Sequence, residues 1–71
     1  MGISTAELYN NLGLCCFYAQ QYDMTLTSFE RALSLSGDDA TTAEIWYNVG
    51  QVAMVCMIDF ILSFLQSLLE S

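Results

Sequence analysis

The sequence predicts an all-α fold with three to four antiparallel helices, and three observations lead to this fold class. Eight of the residues at 4–13 recur in kind and order 37 positions later, at 41–50. Each copy opens with a hydroxyl residue three positions before a glutamate, an arrangement that caps helix N-termini. Apolar side chains then follow at helical spacing. At 71 residues the chain is one small domain at most.

The first helix is predicted over residues 6–20, after an N-terminal cap segment at 1–5. Ser4 is the expected N-cap, because its hydroxyl can accept from a free backbone N–H while Glu7 reaches back. The apolar positions that support this helix are Leu8, Leu12, Cys15, Cys16 and Ala19. The spacing therefore predicts a helix with one apolar face.

A second helix is predicted over 24–36 and completes a helical hairpin, 6–36. Asp23 is the expected N-cap. Gly37 is expected to end the helix in the left-handed conformation that glycine adopts most easily. The polar stretch 37–42 is the predicted connector to the next unit.

The last segment, 43–71, is predicted to be a second and divergent helical unit. Its first helix begins near residue 43. Between Val52 and Leu69, fourteen of eighteen residues are apolar, and the polar exceptions form one narrow stripe of a helix. No glycine or proline marks a turn there, so a turn near Asp59 and one continuous helix both remain open.

Composition excludes several classes of function. The net charge is −7 and Arg31 is the single cation, so the chain cannot neutralise several phosphates of a nucleic acid. There is no histidine, and the three cysteines lack zinc-ligand spacing. We therefore expect no catalytic residues, no metal, no cofactor and no enzymatic activity. A charged partner should be basic.

The repeated residues resemble the tetratricopeptide repeat, a helix-turn-helix unit of about 34 residues. The resemblance rests on Tyr9, Leu12, Gly13, Tyr22, Phe29 and Ala32, followed by Trp46 and Gly50. In this family we expect Gly13, Gly50 and Ala32 to allow close helix packing. Trp46 is expected in the core.

Within that family, residues 6–59 are similar to the tetratricopeptide repeat subunit of the Bardet-Biedl syndrome complex, the BBSome. This resemblance implies a non-enzymatic scaffold for ciliary membrane-protein transport and cilium assembly. Its partners would be other protein subunits. Its location would be the cytoplasm, with the cilium, basal body and centrosome. After Asp59 the likeness fades, which fits a divergent helix, a truncated product or an alternative exon reading.

The family also implies a concave groove that holds a partner's peptide. Carried over by position, the groove residues are Glu7, Asn10, Asn11, Leu14, Phe17, Tyr18, Glu44, Tyr47, Asn48, Gln51 and Met54. Asn11 and Asn48 can hydrogen-bond an extended peptide, although bridging between helices or contact with water explains them equally well. The lysines and arginines of the carboxylate clamp that binds chaperone C-termini are absent from these positions.

The apolar end of the chain is the second candidate interaction surface. We expect it to bind another protein, a second copy or further repeats through Phe60, Ile61, Phe64, Leu65 and Leu68. The alternative is a small membrane-associated protein that uses the apolar helix 52–69. Asp59 would cost about 2.5–3.5 kcal/mol at the centre of a bilayer, and no cation flanks the segment, so insertion is disfavoured.

Overall fold

The computed structural model describes residues 4–70 and consists of three α-helices. Helix α1 spans Thr5–Tyr18, α2 spans Tyr22–Leu35 and α3 spans Asp39–Glu70. The predicted all-α fold class is confirmed. The first two helices form a hairpin, and α3 extends well past it, giving dimensions of 55 × 21 × 17 Å. The predicted cap segment 1–5 and unit 43–71 lie partly outside the described residues.

Helix α1 begins as predicted and ends two residues earlier than predicted. Ser4 is the N-cap, and its Oγ accepts from the backbone N–H of Glu7 at 3.2 Å. At the C-terminus, the N–H of Gln20 bonds the carbonyl of Phe17 at 2.9 Å, and that of Gln21 bonds Cys16 at 2.8 Å. This pair of bonds is a Schellman motif, which requires a left-handed residue. Gln20 takes that conformation, with φ 64°, and so ends the helix.

The predicted boundaries of α2 need two corrections. The Schellman motif leaves room for α2 to begin at once, so Gln21 is the N-cap and Asp23 lies inside the first turn. From this position the carboxylate of Asp23 still interacts favourably with the positive end of the helix dipole. At the other end, Ser36 is extended, and no glycine in residues 4–70 has a positive φ. The left-handed conformation predicted for Gly37 is therefore wrong.

Helix α3 begins four residues earlier than predicted because Asp38 caps it. Oδ2 of Asp38 accepts from the backbone N–H of Thr41 at 3.3 Å. The backbone carbonyl of Asp38 accepts from the backbone N–H of Thr42 at 3.1 Å. Thr41 is therefore inside the helix and does not cap it. The connector 37–42 is correspondingly shorter. The Ser36 and Thr42 hydroxyls lie 2.6 Å apart and join the end of α2 to the start of α3.

From Asp39 to Glu70, α3 is one continuous helix of 32 residues. The sequence left open a turn near Asp59 or one continuous helix, and the structure has the continuous helix. No side chain between 53 and 70 is buried. The second half of α3 therefore projects from the hairpin without a neighbouring helix in the described chain.

The core is small and joins all three helices. Phe29, Ala32 and Ile45 are its buried apolar centre. Gly13 allows a close hairpin contact, because a Cβ atom there would lie 3.0 Å from Cε1 and Cζ of Phe29. The close packing expected at Ala32 is also present, since this residue is fully buried.

Two residues expected at tight contacts lie in the open instead. A Cβ atom at Gly50 would meet nothing within 4 Å, and Trp46 is 57% exposed. Both predictions assumed a helix packed on the outer side of α3. Because α3 continues straight, no described helix covers that side. The division into two repeat units remains a prediction.

Candidate functional site

A cleft of about 550 Å³ lies between the C-terminal end of α1 and the middle of α3. It is lined by Leu14, Phe17, Tyr18, Gln20, Tyr22, Tyr47, Asn48, Gln51, Val52, Val55 and Asp59. The lining combines aromatic rings, side-chain amides and one carboxylate. Such a mixture suits a polypeptide segment, which presents both apolar side chains and backbone polar groups.

Aromatic rings form the end of the cleft nearest the α1–α2 turn. The ring of Phe17 lies 5.8 Å from that of Tyr18, edge to face, and 5.9 Å from that of Tyr22. The Schellman motif positions this cluster, because it reverses the chain immediately after Tyr18 and places Tyr22 at the start of α2. Tyr18 remains 80% exposed and so offers a large surface to a ligand.

An amide pair joins α1 and α3 beside the cleft. Nδ2 of Asn48 donates to Oδ1 of Asn10 at 3.1 Å. Asn10 is only 3% exposed, so this bond satisfies an oxygen that water cannot easily reach. The pair therefore sets how α3 sits against α1. Asn48 bridges the helices and also lines the cleft, so it meets both of the readings that the sequence left open.

The other predicted groove residues divide into two groups. The cleft is lined by Leu14, Phe17, Tyr18, Tyr47 and Gln51. It is not lined by Glu7, Asn10, Asn11, Glu44 or Met54, and the prediction is wrong for these five. Asn11 is exposed. Asn11 follows the buried Asn10 directly, and one residue turns a helix by about 100°, which points the two side chains in different directions.

The part of the cleft beyond Gln51 was not predicted from the sequence. Val55 and Asp59 follow Gln51 at steps of four residues, so they continue the same face of α3. This signal was present in the spacing, but it applies only if α3 has no turn. Asp59 adds a carboxylate to the end of the cleft, which favours a basic group in a ligand.

The predicted apolar interaction surface is fully open in the structure. Phe60, Ile61, Phe64, Leu65 and Leu68 are 47–73% exposed. By length and composition alone, α3 could cross a membrane, with a mean hydropathy of 2.1 over its most apolar window. None of that window is buried. The surface therefore needs a cover of some kind if α3 is to be stable in water.

The site offers little for metal or covalent chemistry. Within residues 4–70, no three histidine, cysteine, aspartate or glutamate side chains are grouped so that they could hold a metal ion. Cys15 and Cys56 are exposed and Cys16 is buried, so the thiols are not all core residues.

Comparison with known proteins identifies the hairpin. Residues 6–39 match the family model of the tetratricopeptide repeat. The match covers 34 of the 71 residues and so concerns the hairpin of α1 and α2. The chain is also 52% identical, over 52 residues, to tetratricopeptide repeat protein 8 of Caenorhabditis elegans. That match covers 73% of this chain and 10% of the nematode protein.

The length of this match extends the likeness beyond the repeat itself. Fifty-two residues are more than the tetratricopeptide repeat at 6–39 contains, so part of α1 or α3 outside it is also shared. The chain spans about a tenth of the relative's length. Repeats of this family bury their apolar faces against neighbouring elements and present extended surfaces to other proteins.

Proposed function

We propose that this chain is a non-enzymatic protein-interaction module whose cleft between α1 and α3 binds a segment of another protein subunit. The observation that carries the proposal is the cleft lining, which brings together Tyr18 from α1 with Tyr47 and the amide of Asn48 from α3. Aromatic rings supply contact area at small entropic cost, and the amide can bond a peptide backbone of any sequence.

Charge narrows the class of ligand. The chain carries a net charge of −7, and Asp59 lies at the edge of the cleft. A carboxylate-terminated peptide would be repelled, and no lysine or arginine lines the cleft to bind it. We propose that the ligand is an internal segment with a basic residue near Asp59.

The finer proposal concerns the assembly in which the module acts. The similarity of residues 6–59 to the tetratricopeptide subunit of the BBSome supports a role in a BBSome-like complex. In that setting the partners are other subunits, and the process is ciliary membrane-protein transport and cilium assembly. We propose that the chain is located in the cytoplasm and at the cilium, basal body and centrosome.

Site-specific photocrosslinking in ciliated cells tests this function. A photoreactive phenylalanine at Tyr18 would stand in the cleft, and the same residue at Leu26 would stand on α2 outside it. The two positions are both well exposed, at 80% and 66%, so they form a matched pair. We expect covalent adducts with BBSome subunits from position 18 and none from position 26.

The pattern of adducts tests the interaction module and the more specific assignment to the BBSome separately. Equal adducts from both positions, or none from position 18, would contradict a binding role for the cleft. If position 18 forms adducts exclusively with proteins outside the BBSome, the proposal of an interaction module is supported and the ciliary assignment is contradicted. Asp59→Lys should reduce the adducts if the ligand is basic.

A second candidate function is membrane association through residues 52–69. The long exposed apolar helix favours it. The polar stripe and the absence of flanking cations weigh against it, since a spanning helix carries neither feature readily. Vesicle flotation separates this candidate from a protein partner and is included in the experiment of the next subsection.

A further inference from the structure

We propose that the outer face of α3 is a homodimer seam on which a second copy of this chain packs antiparallel. This inference goes beyond the proposed function, because six of the seven seam residues lie outside the cleft and only Tyr47 lies in both. It begins from an alternation along α3. Seven positions alternate at steps of three and four, and they are Tyr47, Gly50, Met54, Met57, Ile61, Phe64 and Leu68.

Steps of three and four are the heptad pattern of paired helices. Six of these seven positions are apolar or aromatic and the seventh is glycine, over three heptads without a charge. All seven are solvent-exposed in the structure. A helix with such a seam is stable in water only when a second helix covers it.

The seam lies on the opposite side of α3 from the hairpin. Ile45, Val49 and Val52 pack toward the hairpin core. With about 100° of rotation per residue, Asp59 and Glu70 fall on that same side further along α3. The polar side chains of the second half therefore lie behind the seam. Gln66 donates to Glu70 at 3.2 Å along this polar stripe.

Charge favours a second copy over a charged partner helix. The seam contains no ionisable side chain other than the tyrosine hydroxyl, so two acidic chains can meet there without bringing carboxylates together. The antiparallel orientation also places opposite ends of the helix dipoles side by side. If α3 entered a membrane instead, the polar stripe on the opposite face of the same helix would also be placed in the hydrocarbon region.

Side-chain size defines the antiparallel register. The small residue of the seam, Gly50, lies in its first half, and the bulky Ile61, Phe64 and Leu68 lie in its second half. When Gly50 lies opposite Ile61 of the other copy, Tyr47 lies opposite Phe64 and the two methionines meet at the centre. An apolar hollow of about 400 Å³, lined by Ala53, Met54, Met57 and Ile58, lies at that centre.

The length of the seam is sufficient for a stable pair. Residues 43–68 rise about 37 Å at 1.5 Å per residue. Two helices paired over this length bury on the order of 800 Å² per chain, which is the size of a standard stable interface. The hairpins lie on the outer sides of the pair, so they do not obstruct it.

Sedimentation velocity over about 1–100 μM tests the proposal. We expect the mass of two chains for the wild-type protein. Ile61→Lys places a charge in the seam and should raise the dimer Kd at least about tenfold. Ser63→Lys adds the same charge on the polar stripe and should leave the Kd unchanged. A wild-type monomer at 100 μM, a larger species, or equal effects of both lysines would overturn the proposal.

Spin-label distances test the orientation. A label at Leu69→Cys, with the exposed Cys15 and Cys56 changed to serine, leaves only the buried native thiol of Cys16. The antiparallel register predicts about 40 Å between the two labels. A separation below about 20 Å indicates parallel helices and would contradict it. If monomeric protein floats with phosphatidylcholine vesicles, the dimer proposal is contradicted and the apolar face of α3 binds a membrane instead.

The two proposals fail separately. Ile61→Lys leaves Tyr18 and the cleft unchanged, so loss of the dimer does not remove the photocrosslinks predicted above. Loss of the photocrosslinks with an intact dimer would contradict only the cleft.

Discussion

The side-chain amide of Asn48 donates to Oδ1 of Asn10 at 3.1 Å, and this bond joins two helices that are 38 positions apart in the chain. In the internal repeat Asn48 corresponds to Asn11, but the residue that it bonds is the neighbouring Asn10. Asn10 is buried and Asn48 is half-buried. Among the described residues, no buried side-chain nitrogen or oxygen lacks a partner, so the pair completes the polar side of a small core.

Removal of Asn10 should be costly because it leaves the amide of Asn48 without its acceptor. We expect Asn10→Ala to lower the free energy of unfolding by about 1–3 kcal/mol, measured by urea titration with circular dichroism. Asn11→Ala is the control, since Asn11 is exposed, and it should change stability by less than about 0.5 kcal/mol. Equal effects of the two variants would contradict the role assigned to the pair.

Gly13 and Gly50 should respond oppositely to alanine. At Gly13 the new Cβ meets the Phe29 ring at 3.0 Å, so overpacking of about 1–3 kcal/mol opposes a gain in helix propensity of about 1 kcal/mol. At Gly50 the Cβ meets nothing, so only the gain remains. Thermal unfolding of both variants in the Ile61→Lys background avoids any effect of dimerisation. Stabilisation by Gly13→Ala equal to that by Gly50→Ala would disprove the close contact.

Gln20 holds a left-handed conformation that glycine adopts without a Cβ clash. We expect Gln20→Gly to stabilise the protein by about 0.5–1 kcal/mol. Gln21→Gly is the matched control, because Gln21 has φ −95° and gains only chain entropy in the unfolded state. That variant should be neutral or destabilising. The midpoint of urea unfolding reports both changes, and the opposite ranking would refute the turn geometry.

Asp38 should be the residue that starts α3. Asp38→Ala removes the acceptor for the N–H of Thr41 and should cost about 0.5–2 kcal/mol. Asp38→Asn keeps a capping oxygen and should restore most of this loss. Thr41→Val is a further comparison, because Thr41 lies inside the helix. A larger loss for Thr41→Val than for Asp38→Ala would favour the start at residue 43 that the repeat alone predicted.

The fold class and the hairpin were predictable because their determinants are local. The Ser4 cap needs only a hydroxyl three residues before a free N–H. Helix boundaries were less accurate where two rules competed. At the end of α1, a glutamine adopts the left-handed conformation usually assigned to glycine, and the hydrogen bonds of the Schellman motif offset its cost.

The cleft was only partly predictable, because its far end depends on how far α3 continues. The family resemblance implies Tyr18 and Tyr47, but Asp59 lines the cleft because α3 has no turn there. Trp46 was wrongly placed in the core for the same reason. A single missing turn thus changed both the cleft and the exposed surface.

By itself the sequence determined the helical content, the cap at Ser4, the resemblance to the tetratricopeptide repeat and the apolar excess after Val52. These features depend on residues within a few positions of one another or on a fixed repeat. Tertiary structure alone decided that Asn10 meets Asn48, that Gly13 is packed and Gly50 is open, and that the face of α3 opposite the hairpin is uncovered. Such outcomes depend on which helices are present to pack together, and the same residue type is buried or exposed according to that packing.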